Sequence, residues 1–361
     1  MDEGRKDDLL KRIFSDPEFK KKVLGALEKL GFPLEFRVRK RLQDLGFNDV
    51  RNGYFSVSRE GVTVSKEYDI TAFKQTFGNV LDGVQINVVL ELVGDCKYSD
   101  YRNKFLLAVP ETGRLENRLF VGPLLTSFQM ANSGVHENKE VASEFRSKFG
   151  NIVIASSIRD PEIKVSDLTD ARNKKKPLEE TVTIKEPSAE HEKIYNICED
   201  TILPALKERY LHWRESSLRK YRQHFSTEIK PDKRGYLTKL KGKSFSSRLI
   251  MPIIVTSKPI LVPEFSESRS SSLIGIKSVD FLLYTHPVKN PEDYTAFMGK
   301  PYPVGIFIAT EDGFENLLSY LEIIRGKTLE SISKTLNEHP EQIFQDFKEI
   351  EDLKRKGTSV I

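Results

Sequence analysis

A chain of 361 residues, 38% hydrophobic and 30% charged, has the composition of a folding globular protein, which excludes wholesale disorder. The charged opening MDEGRKDDLLKRIF lacks the apolar core of a secretory signal and no apolar run is long enough to cross a bilayer, so a cytoplasmic protein without a membrane partner is expected. The net charge is +4, the two cysteines (Cys96, Cys198) are far apart, and the six histidines lack zinc-type spacing, which argues against a disulfide scaffold or a zinc centre.

Residues 1–30 read as a helical arm, with Leu9, Leu10, Ile13, Phe14 and then Val23, Leu24, Leu27, Leu30 at helical spacing. A helix is predicted over 34–45, where Leu34, Val38, Leu42 and Leu45 form an apolar stripe, with Pro33 at its start and Gly46 as its stop. Glu35 sits about 100° from Leu34 and so reaches the edge of that buried face. Three strands follow, Tyr54–Ser58, Val62–Phe73 and Ile86–Tyr98, as an antiparallel meander. An apolar segment at 119–130, a helix around 137–149 and a strand at 152–156 then suggest a crossover and a mixed sheet.

Residues 159–187 are charged and irregular, with Lys174-Lys175-Lys176-Pro177 as a linker signal. Beyond lies a long helix over 189–225, kinked at Pro204. Strands are expected at 249–256, 260–263, 281–285 and 304–309, and helices near 313–324 and 329–355. The expected fold is α/β (α+β), a central mixed sheet flanked by helices, organised as an arm (1–30), a first domain (31–158) and a C-terminal α+β region (188–361); one large α/β body is the alternative.

Asp69 interrupts an apolar strand between Tyr68 and Ile70, and Asp95 and Lys97 lie two apart, on one strand face, while Cys96 points into the apolar layer. If the two strands pair, two carboxylates and an ammonium converge. Phosphodiester hydrolysis needs hard oxygen ligands for Mg²⁺ (Mn²⁺ as a substitute), which Asp69, Asp95 and the Cys96 carbonyl can supply. Lys97 can orient or deprotonate water and stabilise the transition state, and Glu35 can hold a metal-bound water or a second ion. Glu91 shares the face of Asp95, so the register of the acid on this strand is open between the two. Lys104 reads as a solvated lysine more readily than as a phosphate contact.

The order of a helix glutamate (Leu34-Glu35-Phe36-Arg37-Val38), a strand aspartate (Lys66-Glu67-Tyr68-Asp69-Ile70-Thr71) and an acid-x-lysine strand (Asp95-Cys96-Lys97-Tyr98) resembles the PD-(D/E)xK, restriction-endonuclease-like nucleases, and the modified-DNA (Mrr-like) type most closely. The resemblance spans residues 31–157 and has no proline before Asp69. It implies a restriction-endonuclease-like core, Mg²⁺ dependence and cleavage of DNA, in settings such as restriction or phage defence. An intact Asp95-x-Lys97 separates that reading from a non-catalytic binding or assembly protein on the same fold; a nuclease for RNA or single strands ranks third.

Residues 207–243 carry 12 Lys/Arg against 4 acids, a net +8, so the remainder of the chain is net −4. With Tyr210, Trp213, Tyr221, His224 and Tyr236 interleaved, this stretch is expected to contact DNA through Arg214, Arg219, Lys220, Arg222, Lys233 and Arg234. Trp213 reads equally as core. Double-strand cleavage by a subunit with one site calls for two copies, so a homodimer is a further expectation.

Overall fold

Residues 84–97 and 244–256 each carry long apolar runs, the pattern of strands covered on both faces. In the computed structural model these two runs lie side by side in the middle of one sheet. The structure describes residues 16–29, 32–59, 62–80, 84–98, 105–110, 124–125, 152–159, 162–166, 181–185, 193–224, 244–266, 273–287 and 304–338. Its strands are β1 (Asn48–Arg59), β2 (Val62–Val80), β3 (Val84–Lys97), β4 (Leu106–Pro110), β5 (Leu124–Leu125), β6 (Val153–Arg159), β7 (Glu162–Ser166), β8 (Thr181–Lys185), β9 (Ser244–Thr256), β10 (Ile260–Phe265), β11 (Leu273–Val279), β12 (Phe281–His286) and β13 (Val304–Thr310). The helices are α1 (Pro17–Lys29), α2 (Phe32–Asp44), α3 (Lys193–Ile197), a π-helical turn Cys198–Ile202, α4 (Leu203–His224) and α5 (Phe314–Glu338).

This is a mixed α/β protein. The large sheet runs β1-β2-β3-β9-β13-β12-β6-β4-β10-β11, with β5 added against β9. The antiparallel meander β1-β2-β3 matches the expectation. β3 then pairs in parallel with β9 from Gln85–Ser244 to Lys97–Thr256, and β9 pairs in parallel with β13. The segments expected as separate domains, 31–158 and 188–361, therefore contribute strands to a single sheet.

Two apolar layers hold it. On one face, Leu34, Val38 and Leu42 of α2 and Phe314, Leu317, Leu321 and Ile324 of α5 pack on Val88, Leu90, Leu92 and Cys96 of β3 and on Met251 and Ile253 of β9. On the other, Ile194, Cys198, Ile202 and Leu206 pack on Val93 of β3 and Ile250 and Ile254 of β9. The alternation along β3 and β9 thus feeds both layers, and each strand is buried on both sides.

Local chemistry explains several boundaries. Gly46 closes α2 at φ +79°, with Gly46 N–H donating to the Gln43 carbonyl and Phe47 N–H to the Leu42 carbonyl. That left-handed stop is a Schellman cap, which glycine takes without a Cβ penalty. A kink was expected at Pro204, and the turn preceding it is π-helical. Pro204 cannot donate to the Asp200 carbonyl, the ladder lengthens, and Leu203 N–H donates to the Cys198 carbonyl.

Other expectations are corrected. The two C-terminal helices are one, α5, which runs through Gly326; buried Thr328 donates to the Ile324 carbonyl and Leu329 packs on the core, so tertiary contact outweighs the helix-breaking tendency of glycine. The irregular 159–187 stretch contains a two-stranded sheet, β7 with β8. β11 was not expected; it pairs with β10. Lys104, the helix expected around 137–149 and the part of the last helix beyond 338 lie outside the described residues. Among the described residues no helix is long and apolar enough to cross a membrane.

Candidate active site

The antiparallel pairing of β2 with β3 ends at Ile70–Gly94, one residue before Asp69 and Asp95 would face each other. On its other side β2 carries a bulge. Between the pairs Arg51–Thr71 and Gly53–Tyr68, β2 advances one residue more than β1, and the extra residue falls at positions 69–70. A bulge bends its strand and re-aims the side chain it carries. Here the Asp69 carboxylate accepts a hydrogen bond from Cys96 N–H (2.7 Å to Oδ2). Gly53 completes the bend. A Cβ there would overlap the ring of its cross-strand partner Tyr68, which is itself buried, so only glycine admits the ring.

β3 delivers the other two groups as strand parity dictates. Asp95 and Lys97 share a face, and Lys97 Nζ pairs with Asp95 Oδ2 at 2.9 Å. Asp95 is buried and Lys97 is half exposed, so the ammonium stands at the mouth of the site. Cys96 points the other way, into the layer under α2 and α5. Lys97 pairs with Thr256 of β9, and Ser257 N–H donates to its carbonyl (3.1 Å), which fixes the end of the strand. The centre lies at the C-terminal ends of adjacent parallel strands, where open α/β sheets hold ligands.

Asp69 and Asp95 do not share this space neutrally. Burial, a hydrogen bond to Asp95 and the charge of Asp95 push the Asp69 carboxyl up to about 8, with the Cys96 N–H opposing the rise. The pair keeps a proton at neutral pH. Burial lowers the Lys97 ammonium, while the charge and hydrogen bond of Asp95, together with the charge of Asp69, raise it, and the net displacement is upward. Glu35, in the first turn of α2, is raised by burial, opposed by Arg39 and reinforced by the charges of Asp95 and Glu67. All four expected side chains, Glu35, Asp69, Asp95 and Lys97, therefore act on one another.

Three residues were missed. Arg39 grips Glu35 (Nη2 to Oε2, 3.0 Å), reaches Asn52 of β1, and Asn52 in turn bonds Glu67. Arg39 stands at i+4 from Glu35, a spacing at which helix side chains meet, and that was the available signal. Asn52 and Glu67 face each other only through the β1–β2 register, which the bulge sets.

Glu91, the other acid on this face of the strand, is engaged elsewhere. Glu91 is 1% exposed and is held by Arg209 (α4) and by Arg248 of β9, whose guanidinium stacks 3.2 Å from the Trp213 ring centre. Its charge is spent on binding α4 to the sheet. Trp213 accordingly packs against the second layer, with its Arg partners on its face. The side chains of Arg214, Arg219, Lys220 and Arg222 lie outside what is described, as do Lys233 and Arg234.

Among the described residues no group of three or more His, Cys, Asp or Glu is arranged to hold a metal ion. Mg²⁺ does not require one, since it is commonly bound by one or two carboxylates together with waters and substrate phosphates. Two touching carboxylates beside the Cys96 backbone offer hard oxygen donors of the kind that cation takes. That donor set fits Mg²⁺. Compared with protein-family models, with curated proteins and with solved structures, the chain matches none.

Proposed function

We propose that this chain is a metal-dependent endonuclease that hydrolyses DNA phosphodiester bonds at a centre of the PD-(D/E)xK kind. The observation that carries the reading is the meeting of Asp69 and Asp95 at the end of β3, with Lys97 beside them and Glu35 within their field. Asp69, Asp95 and the Cys96 carbonyl would hold Mg²⁺. When bound, the ion supplies Lewis acidity toward the phosphate and lowers the pKa of water.

The remaining work falls to the chain itself. Lys97, kept protonated by Asp95, offsets the negative charge that grows on the phosphoryl oxygens as water attacks. Its upward displacement makes it the poorer acceptor for the proton of that water. Glu35, whose affinity for a proton is raised, is the carboxylate left to accept it, and Arg39 fixes its orientation. The basic 207–243 segment is the proposed DNA contact, and a homodimer would bring two such centres to a duplex.

The test is cleavage of supercoiled plasmid with Mg²⁺, Mn²⁺ or EDTA by the wild type and by Asp95→Ala and Lys97→Ala. Metal-dependent nicking lost in both variants is expected, with at least a ~10²-fold drop in rate for either. Cleavage surviving both substitutions removes the site. No cleavage of any substrate moves the reading to a binding or assembly protein.

A further inference from the structure

Glu35 separates two kinds of surface on α2. Counting 100° per residue, the buried Leu34, Val38 and Leu42 fall on one side of it, at about 100°, 60° and 20°. Arg39, Phe32 and Phe36 fall on the other, at about 40°, 60° and 100°. The two phenylalanines stand one turn apart, where helix side chains are neighbours. They are 52% and 61% exposed, so neither serves the core, which Leu34, Val38 and Leu42 already fill.

A third ring is linked to the same carboxylate by contacts across β1 and β2. Glu35 binds Arg39, Arg39 binds Asn52, Asn52 binds Glu67, and the Tyr54 hydroxyl donates to Glu67 (3.4 Å). Tyr54 is 61% exposed. The cross-strand partner of Tyr54 is Glu67, so its ring gains no aromatic neighbour there. Three water-facing rings thus border one polar chain that begins at the acidic centre.

We propose that Phe32, Phe36 and Tyr54 form a stacking platform for unpaired bases, and that the substrate is DNA that is single-stranded or opened at the cut. This rests on the nuclease reading and names the substrate of that site. In an intact duplex the faces of the bases are covered by their neighbours and only their edges are open in the grooves. Exposed rings interspersed with Arg39, Glu67 and Lys40 gain nothing there. Unpaired bases offer a π-face of any sequence, and each base stacked on a ring strengthens binding substantially. The rings alternate with charges rather than forming a continuous aliphatic face, which suits a strand of alternating bases and phosphates better than a protein partner.

The experiment measures affinity of the full chain in EDTA, so that cleavage does not intervene, for labelled single strand, perfect duplex and a duplex with a central bubble, all at one salt concentration. The single strand and the bubble are expected to bind more tightly than the duplex. Phe36→Ala and Tyr54→Ala should each weaken single-strand binding by about 5- to 150-fold, with duplex binding nearly unchanged. Phe36→Trp and Tyr54→Phe keep the rings and should retain it. Equal affinity for single strand and duplex overturns the proposal, as does an equal loss for both on removing the rings, or a loss in Tyr54→Phe as large as in Tyr54→Ala. Metal-dependent cleavage without ring-dependent selectivity sinks this proposal alone. Ring-dependent single-strand binding without any cleavage keeps the platform and sinks the nuclease.

Discussion

Asp69→Asn turns the crowding of two carboxylates into a measurable stability. The native Asp69 carboxyl titrates at about 8, against 3.8 for the ordinary group, because it is buried against Asp95 and bonded to it. Between those values the folded state binds more protons than the unfolded one, so stability in the absence of metal falls as pH rises. The slope is about 1.4 kcal/mol per pH unit, which over the three units from 4 to 7 gives a ceiling of about 4 kcal/mol. The proton belongs to the Asp69–Asp95 pair, so the measured value lies below that ceiling.

Asparagine removes the charge while its amide oxygen can accept from Cys96 N–H and its amide nitrogen can donate to Asp95. The expected result in EDTA is a variant close to wild type near pH 4 and more stable by a few kcal/mol near pH 7, a few degrees in Tm at about 1–2 °C per kcal/mol for a chain of 361 residues. Mg²⁺ should stabilise the wild type and leave the variant largely unmoved, since ligand that binds only the folded state adds to its stability. Thermal melts across pH 4–8 with and without Mg²⁺ read all four cases. A variant less stable than wild type at every pH, or a wild type whose stability climbs with pH in EDTA, would refute the reasoning.

Removing Glu91 by Glu91→Ala leaves Arg209 and Arg248 without their shared carboxylate in a largely buried place, and a loss of about 3–5 kcal/mol in urea unfolding is expected. Gly53→Ala puts a methyl where the Tyr68 ring lies; it should cost about 1–3 kcal/mol and, by shifting the strand that carries Asp69, lower cleavage more than stability alone explains. Both are checked by denaturation alongside the plasmid assay.

The placement of the four candidate residues was legible because each depends on local rules. Strand parity puts Asp95 and Lys97 on one face, a charge between Tyr68 and Ile70 stands out in an apolar frame, and helical spacing sets Glu35 at the edge of a buried stripe. The device that joins them was not legible. A one-residue bulge in β2 leaves no pattern in composition, and the glycine that permits it is 15 positions away from Tyr68 in sequence. Glu91 could not be told from Asp95 until Arg209 and Arg248, 118 and 157 positions away, were seen to claim it. Gly326 and the charged 159–187 stretch misled for the opposite reason, since local preference there yields to packing and pairing.

The parallel seam between β3 and β9 has a bearing on how the protein comes into being. Residues 84–97 are complete long before residues 244–256 are made, and until then the strand bearing Asp95 and Lys97 has one side of its backbone unpaired. On a translating ribosome this strand would therefore meet its parallel partner only late in synthesis. The end of that strand, where Lys97 pairs with Thr256 and its carbonyl accepts from Ser257 N–H, would gain this support only then, so shorter fragments of the chain would lack it.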